Sequence, residues 1–207
     1  MHKKKILFIA ILIVATLPLM AQRKDSANKK IYVTTGIGIN KIQGSLNNTF
    51  RHSIAFNSGF EKPLKHNWFV QAEANFNSLK YDQQKTDMHS SYRFQNTSSS
   101  LFMVGANIGR DLPLGKSNVF VSPYTGAGYI NIGEPRLELL EHTDIISQRI
   151  VRKSGIIGKA GTRIGFNTKT KLLQTLYLDG SYWTSSVKIN NLAVRSISVF
   201  IGIRMAM

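Results

Sequence analysis

The chain has 207 residues, with 27 Lys and Arg against 11 Asp and Glu, and a formal net charge of +16 at pH 7. It contains no cysteine, which excludes a disulfide framework and a lipid-modified N-terminal cysteine. So basic a chain raises the question of a nucleic-acid partner. The charges fall in predicted turns and loops rather than along one helix or stripe, so we expect no nucleic-acid binding.

The first 21 residues predict a secretory signal peptide. Three lysines at positions 3 to 5 precede an apolar run over residues 6–19, and Ala21 offers a small residue before a cut at Gln22. The run is shorter than the roughly 18 to 20 apolar residues that a membrane-spanning helix needs, and Pro18 interrupts its end. We therefore predict a signal peptide over residues 1–21 and a single exported domain over residues 22–207.

Eight segments of the exported domain alternate apolar with polar or small residues. In residues 30–40, Ile31, Val33, Ile37 and Ile39 share one face, and the even positions, including Thr34, share the other. Similar alternation recurs in residues 53–61, 68–78, 101–109, 118–130, 155–166, 172–183 and 195–207. Successive side chains of a strand point to opposite faces, and each segment is close to the roughly 9 to 11 residues that a tilted strand needs to cross a bilayer.

The connections between these segments alternate between short and long. Short connections are predicted at residues 61–67, 111–118 and 167–171, and long ones at residues 40–52, 80–98, 131–153 and 184–192. Transmembrane barrels have short periplasmic turns and longer extracellular loops, so this sorting favours a barrel in a membrane. Residues 131–153 are open to two interpretations, a short helix or an extension of the flanking strands.

Aromatic residues fall near both ends of the predicted strands. Phe60, Trp68 and Phe166 lie beside the short turns, and Phe76 and Tyr129 lie toward the long loops. Transmembrane barrels carry aromatic girdles at these depths, so we predict that the five residues mark the two membrane interfaces. The alternative is that they are core aromatics of a soluble sandwich.

Charged residues also occur on the polar face, which a barrel would enclose. Strand parity places Glu73 and Asp179 near mid-strand inside the barrel, with Glu61 nearer the short turns. Buried charges are tolerated only when they are paired and hydrogen-bonded. We therefore predict an ionic network that plugs the lumen, formed by Glu61, Glu73, Lys159, Arg163, Asp179 and Arg204. The alternative is that these groups form a proton or ion path.

The glycine-bearing segments TGIGIN, PYTGAGYI and SVFIGIRMAM complete a resemblance to the outer-membrane β-barrel superfamily. Over residues 30–207 the chain resembles the small eight-stranded barrels of the OmpA/OmpX-like type and the PorT-like outer-membrane β-barrel domain. The resemblance implies an all-β, eight-stranded antiparallel up-and-down transmembrane barrel in the outer membrane. It also implies contact with outer-membrane lipid and lipopolysaccharide, with the outer-membrane assembly machinery, and with a surface or export partner protein. Family members often end in Phe, whereas this chain ends in Met207.

The sequence carries no catalytic signature. There is no GxSxG nucleophile elbow, no HExxH zinc helix and no cluster with metal-ligand spacing, and the GxG pairs lie inside strands. We therefore expect no enzyme, cofactor or metal site, and a non-enzymatic structural or surface-interaction role. Two alternatives stay open: a barrel enzyme that acts on outer-membrane lipid or surface peptides through His89 or His142, and a soluble lipocalin-like barrel that binds a hydrophobic ligand.

Overall fold

Strands dominate the computed structural model of this chain, which describes residues 31–51, 53–81, 97–139, 146–168, 170, 172–189 and 191–207. The described strands are β1 (Tyr32–Ile42), β2 (Phe50–Arg51), β3 (Ser53–Pro63), β4 (Trp68–Tyr81), β5 (Thr97–Arg110), β6 (Leu112–Pro113), β7 (Val119–Leu139), β8 (Ile146–Asn167), β9 (Leu173–Ile189) and β10 (Leu192–Ala206). Two short 3-10 helices, η1 (Gly44–Asn48) and η2 (Lys65–Asn67), lie in connections. The predicted signal peptide and the loop histidines His89 and His142 lie outside the described residues.

Eight of these strands close into an antiparallel barrel. Each long strand pairs with the next along the chain, in the order β1, β3, β4, β5, β7, β8, β9 and β10, and β10 pairs back with β1. The two-residue strand β2 pairs with the last residues of β4, and β6 pairs with the first residues of β7. The predicted eight-stranded up-and-down barrel is confirmed. In the part of the chain that the structure describes, no helix has the length and apolarity of a membrane-spanning helix.

The predicted division into an outward apolar face and an inward polar face is also confirmed along the middle of the strands. Ile201 is 68% exposed on the outside, whereas its neighbours on the chain, Phe200 and Gly202, face inward. A soluble barrel would bury its apolar series in the interior. The lipocalin-like alternative is therefore wrong, because the Ile, Val and Phe series covers the outside.

The barrel has two distinct ends. The inner end carries both ends of the described chain, at Ile31 and Met207, and the connections at residues 64–67, 111–118 and 168–172. The outer end carries the connections at residues 43–52, 82–96, 140–145 and 190–191. The names follow the two longest connections, residues 43–52 and 82–96, which join strands at the same end, because extracellular loops are the longer ones in transmembrane barrels.

The predictions of long loops at residues 131–153 and 184–192 are wrong, because strands occupy most of both ranges. Strands β7 and β8 run through most of residues 131–153 and leave only residues 140–145 between them, so the strand-extension interpretation holds. Residues 184–192 are mostly the end of β9 and the start of β10. Asn191 adopts a left-handed φ of 62° in this tight connection, a conformation that Asn accepts more readily than most residues.

These strands continue past the predicted loop boundaries, and there the apolar residues move from the outward to the inward positions. Along the last part of β9, Val187 and Ile189 point inward and Lys188 points outward. The outward apolar series ends on each strand at one residue, and these eight residues form the outer boundary: Ile39, Ile54, Phe76, Phe102, Tyr129, Ile156, Tyr182 and Ile197. Beyond it, outward positions are mostly hydroxyl, amide or basic residues, which is the pattern of a barrel wall in water.

Candidate functional site in the barrel interior

The inner half of the lumen holds a chain of buried ion pairs around Glu61. Its carboxylate is 1% exposed and lies between two guanidinium groups. Arg163 Nη1 lies 2.8 Å from Glu61 Oε2, and Arg204 Nη2 lies 3.0 Å from Glu61 Oε1. Because β3 and β8 stand on opposite sides of the barrel, the Glu61–Arg163 pair spans the lumen rather than following its wall.

Arg163 connects Glu61 to a second carboxylate. Its Nε lies 3.5 Å from Asp179 Oδ2, and its Nη2 donates to Gln71 Oε1 at 3.1 Å. The guanidinium also stacks over the Tyr177 ring, with its Cζ 4.5 Å from the ring centroid. These contacts surround one planar cation with two carboxylates, an amide oxygen and an aromatic ring, which is the geometry that favours Arg over Lys.

Glu73 and Lys159 form a separate pair closer to the middle of the barrel. Lys159 Nζ lies 2.6 Å from Glu73 Oε1, and both side chains are almost fully buried. Asn57 Nδ2 donates to the other carboxylate oxygen at 3.1 Å. The Lys159 ammonium also lies over the Tyr124 ring, 5.2 Å from its centroid. Each charge thus has one opposite charge and at least one further polar or aromatic neighbour.

The structure therefore places all six predicted lumen residues inside the barrel, in two groups. Glu61, Arg163, Asp179 and Arg204 form one chain of contacts, and Glu73 with Lys159 forms the other. Neither group is joined to the other by a direct ion pair among the described contacts.

Sequence reasoning missed three partners of these residues. Asp111 lies in the connection after β5, and its Oδ2 is 3.1 Å from Arg204 Nη1. Tyr124 donates to Asp179 Oδ1 at 2.7 Å. Gln71 also donates to Thr34 Oγ1 at 2.9 Å, across β3. Strand parity already placed Tyr124 and Gln71 inside, but nothing in the sequence indicated which charges they would meet.

The outer half of the lumen holds an apolar layer with some buried Asn and Ser side chains among it, which corrects the expectation of a polar interior throughout. The buried residues of this apolar layer are Ile42, Leu46, Phe50, Leu79, Tyr81, Leu101, Met103, Ile130, Ile132, Ile157, Trp183, Val187, Ile189 and Val194. Most come from strand ends beyond the outer boundary and from the connection after β1, and Met103 and Ile157 lie one residue to the inner side of that boundary. Leu46 of η1 and Phe50 of β2 fold over the barrel mouth, and Phe50 packs edge-on against Tyr81.

Trp183 lies where the apolar layer meets the polar half of the lumen. Its indole is fully buried, and Nε1 donates to Ser198 Oγ at 3.1 Å. A buried indole N–H normally has such a partner. Asn40, on β1, is also fully buried, and its amide has no hydrogen-bond partner among the described residues.

The five aromatic residues predicted at the membrane interfaces all face outward, between 42% and 56% exposed. Phe60, Trp68 and Phe166 lie on strand segments next to the inner turns, and Phe76 and Tyr129 belong to the outer boundary. The structure thus places them near the two ends of the apolar band, and their role as interface anchors stays a prediction. Among the described residues, no group of three His, Asp or Glu side chains is arranged to hold a metal ion.

A closed antiparallel barrel with an apolar outside and paired charges inside defines the chain as an outer-membrane β-barrel protein. Residues 9–204 match the family model described as the outer membrane protein beta-barrel domain, and the chain belongs to this family. It therefore lies in the lipid of the outer membrane, as the sequence predicted.

Solved structures with the same fold include a major outer membrane protein from Thermus thermophilus, at 11% identity and a TM-score of 0.65, covering 86% of this chain and 99% of that one. Neisserial surface protein A matches at 20% identity and a TM-score of 0.46, over 84% and 96% of the two chains. Ail of Yersinia pestis matches at 12% identity and a TM-score of 0.47, over 86% and 99%. No curated protein matches the sequence.

Proposed function

We propose that this protein is a closed, non-enzymatic outer-membrane barrel with a structural or surface-interaction role, and that its interior is a plug. The observation that carries the proposal is the two-layer filling of the lumen. A solute would have to separate the ion pairs of Glu61, Arg163 and Glu73 and then cross the apolar layer around Ile130 and Trp183.

Both steps are costly for different reasons. Separating a buried ion pair leaves two charges with neither water nor a partner. Passing a hydrated ion through a mostly apolar layer removes its water and offers few polar groups in return. The charged layer and the apolar layer thus both oppose the passage of ions and small polar molecules, so together they close the barrel to these solutes.

Planar-bilayer recording tests the closed lumen. The reconstituted barrel is expected to give no steady conductance, with insertion verified by the mobility shift of the folded protein on unboiled SDS gels. The matched comparison is the variant Trp183→Ala, which opens space in the apolar layer but leaves the ion pairs in place, and which should stay closed. Steady unitary currents from the unmodified protein would overturn the proposal.

The surface-interaction role is assigned to the hairpin of β7 and β8. Beyond the Leu101–Ile132 pairing, β7 pairs only with β8, so the two strands project past the barrel wall. Glu134 at the base of the hairpin is fully buried and lies 2.8 Å from Lys153 Nζ and 2.7 Å from Arg136 Nη2. Contacts that brace a projecting ribbon support a role in holding a partner protein at the cell surface.

Shortening the hairpin tests this role. A variant that lacks residues 135–150, joined by a short Asn-Gly turn, should still fold into a heat-modifiable barrel because the barrel wall is intact. Cross-linking in native outer membranes should then lose the partner bands that the full-length protein gives. Unchanged cross-links in a correctly inserted variant would remove the hairpin from the proposal.

Export and assembly belong to the same proposal. We propose that residues 1–21 are removed on export, which predicts a mature N-terminus at Gln22 when the protein from outer membranes is sequenced. The last strand, β10, is proposed as the segment that the outer-membrane assembly machinery recognises. Its apolar outward residues up to Met205 are in phase with the membrane face, although the chain ends in Met207.

A further inference from the structure

The β7–β8 hairpin parts from both of its neighbours in the barrel wall. The ladder between β5 and β7 stops at Ile132, and the ladder between β8 and β9 begins only at Ile157. Beyond these two residues, β7 and β8 stay paired with each other as far as Leu139 and Ile146. The outer ends of β5 and β9 remain in the wall, paired with β4 and β10. In the described part of the chain, residues 133–139 and 146–156 thus form a two-stranded ribbon with no ladder to the wall, which we call the ribbon.

The base of the ribbon is held to the wall by side chains. On the β5 side, the Ser99 hydroxyl donates a hydrogen bond to the Gly133 carbonyl oxygen. On the β9 side, the Ile156 backbone N–H donates to Ser186 Oγ at 3.0 Å. A two-stranded ribbon twists more strongly than a larger sheet and is only marginally stable alone. The direction in which the ribbon leaves the barrel therefore depends on a few side-chain contacts at its base.

Lys153 makes the contact that joins both strands of the ribbon to the wall. Its Nζ lies 2.8 Å from Glu134 Oε2 on β7 and donates to the Lys188 carbonyl oxygen on β9 at 3.2 Å. Lys153 itself belongs to β8, so one ammonium group connects three strands. Lys188 lies in the part of β9 that pairs with β10, and its carbonyl oxygen is therefore a fixed point of the wall.

Glu134 holds this ammonium group in place. Its side chain is fully buried, and its second carboxylate oxygen accepts a hydrogen bond from Arg136 Nη2 at 2.7 Å. A buried carboxylate is tolerated only with charged or hydrogen-bonding partners, so Lys153 is kept beside it. A lysine side chain loses much rotamer freedom when it is ordered, and a contact must offset that loss. Because Glu134 already orders Lys153, the further bond to β9 requires little additional ordering.

We propose that Glu134 and Lys153 form a latch that fixes the direction of the ribbon above the barrel mouth. With the latch intact the hairpin is a rigid arm, and with the latch broken it swings about Ile132 and Ile157. Glu134 and Lys153 are then positioning residues for the surface role of the hairpin, and the inference rests on the proposed function in that respect. The direction of the ribbon is measured without a partner, so failure of the latch and failure of partner binding are distinguishable.

Distances between spin labels test the latch. The chain contains no cysteine, so nitroxide labels attach only at introduced cysteines. One pair, Ile150→Cys with Lys41→Cys, joins an exposed position on the ribbon to the wall strand β1. The second pair, Ser78→Cys with Lys41→Cys, lies within the wall and reports the shape of the barrel. Pulsed electron paramagnetic resonance in phospholipid nanodiscs measures both distance distributions, after the mobility shift on unboiled SDS gels has verified folding.

The ribbon-to-wall distance should give one narrow peak in the protein with the latch intact. Glu134→Gln and Lys153→Gln should each broaden this peak, and the double variant should be no broader than the single variants, because the same latch is broken in all three. Arg152→Gln is the matched control, since it removes one exposed cation from the adjacent residue of β8, and it should leave the peak unchanged. The distance within the wall should stay narrow in every variant.

Four outcomes would overturn the inference. A narrow peak in both folded latch variants would show that the ribbon is held without the latch. A broad peak in the protein with the latch intact would show that the direction of the ribbon is not fixed. Equal broadening by Arg152→Gln would show a general effect of charge. Broadening of the distance within the wall would show that the variants loosen the barrel instead of releasing the ribbon.

Discussion

Replacing Glu73 with Gln is expected to destabilise the barrel because Lys159 then keeps its charge in a buried position without its carboxylate. The two groups are 2.6 Å apart, and each side chain is only 6% exposed. Removing one member of a buried pair typically costs about 3 to 5 kcal/mol. Gln keeps a carbonyl oxygen for the Lys159 ammonium, so we expect the lower end of this range. Lys159→Met, which leaves Glu73 with Asn57, should cost a similar amount.

The double variant Glu73→Gln/Lys159→Met is the informative one. It removes both charges and leaves similar volumes, and replacing a whole buried pair by uncharged groups is often nearly neutral. We therefore expect the double variant to be less destabilised than the sum of the single variants by about 3 kcal/mol or more, at or above the top of the range of about 0.5 to 3 kcal/mol for residues in contact. This coupling separates an interacting pair from two groups that merely share the lumen.

Urea unfolding in phospholipid vesicles, followed by tryptophan fluorescence, measures these free energies. Trp183 is buried in the lumen and Trp68 faces outward near the inner end, so unfolding changes the surroundings of both. Lys116→Gln, in an exposed turn, is the control and should change stability by less than about 0.5 kcal/mol. Strictly additive single-variant effects would refute the assignment of Glu73 and Lys159 as a pair.

Three further predictions use the same unfolding assay. Ile201→Arg, on the outward face, should cost about 2 to 4 kcal/mol if it lies near the bilayer midplane, and an unchanged midpoint would contradict a lipid-facing position there. Gly126→Ala should cost about 1 to 3 kcal/mol because the new methyl group collides with Asn107 Oδ1 and the Ala106 carbonyl oxygen. Gly180→Ala, with open space around it, should be nearly neutral. Similar costs for the two variants would contradict this packing. Ile132→Ala, in the apolar layer, should cost about 2 to 5 kcal/mol. The control Ile150→Ala, at an exposed position, should cost less than about 0.5 kcal/mol. An Ile132→Ala variant as stable as the unmodified protein would show that the layer is not packed.

The alternation of the sequence was sufficient to predict the strand count, the membrane-facing set and the inward position of residues such as Glu73 and Arg163. These follow from local geometry, because side chains of one strand alternate between two faces. Which inward charges meet depends on the register around the whole barrel. Glu61 and Arg163 are 102 residues apart and belong to strands on opposite sides of the lumen. No local pattern encodes such a contact.

The apolar layer was missed for a different reason. The segment TSSVKI, residues 184–189, still alternates, but its apolar residues Val187 and Ile189 point inward. An interpretation that assigns apolar residues to lipid takes such a segment for a loop, because its phase is opposite to that of the membrane segments. Lys188 between two aliphatic residues was the available signal, and the same inversion occurs at Lys80, between Leu79 and Tyr81.

At its outer end this barrel is built like a small water-soluble protein, with apolar residues inside and polar residues outside. A foreign peptide inserted between residues 139 and 146 would extend the hairpin without touching that core, so the site suits surface display. Cutting the hairpin back to the level of Ile130 would instead remove part of the packing that covers Trp183. The strands must therefore extend at least far enough to enclose this layer, and the hairpin beyond it is open to modification without loss of the fold.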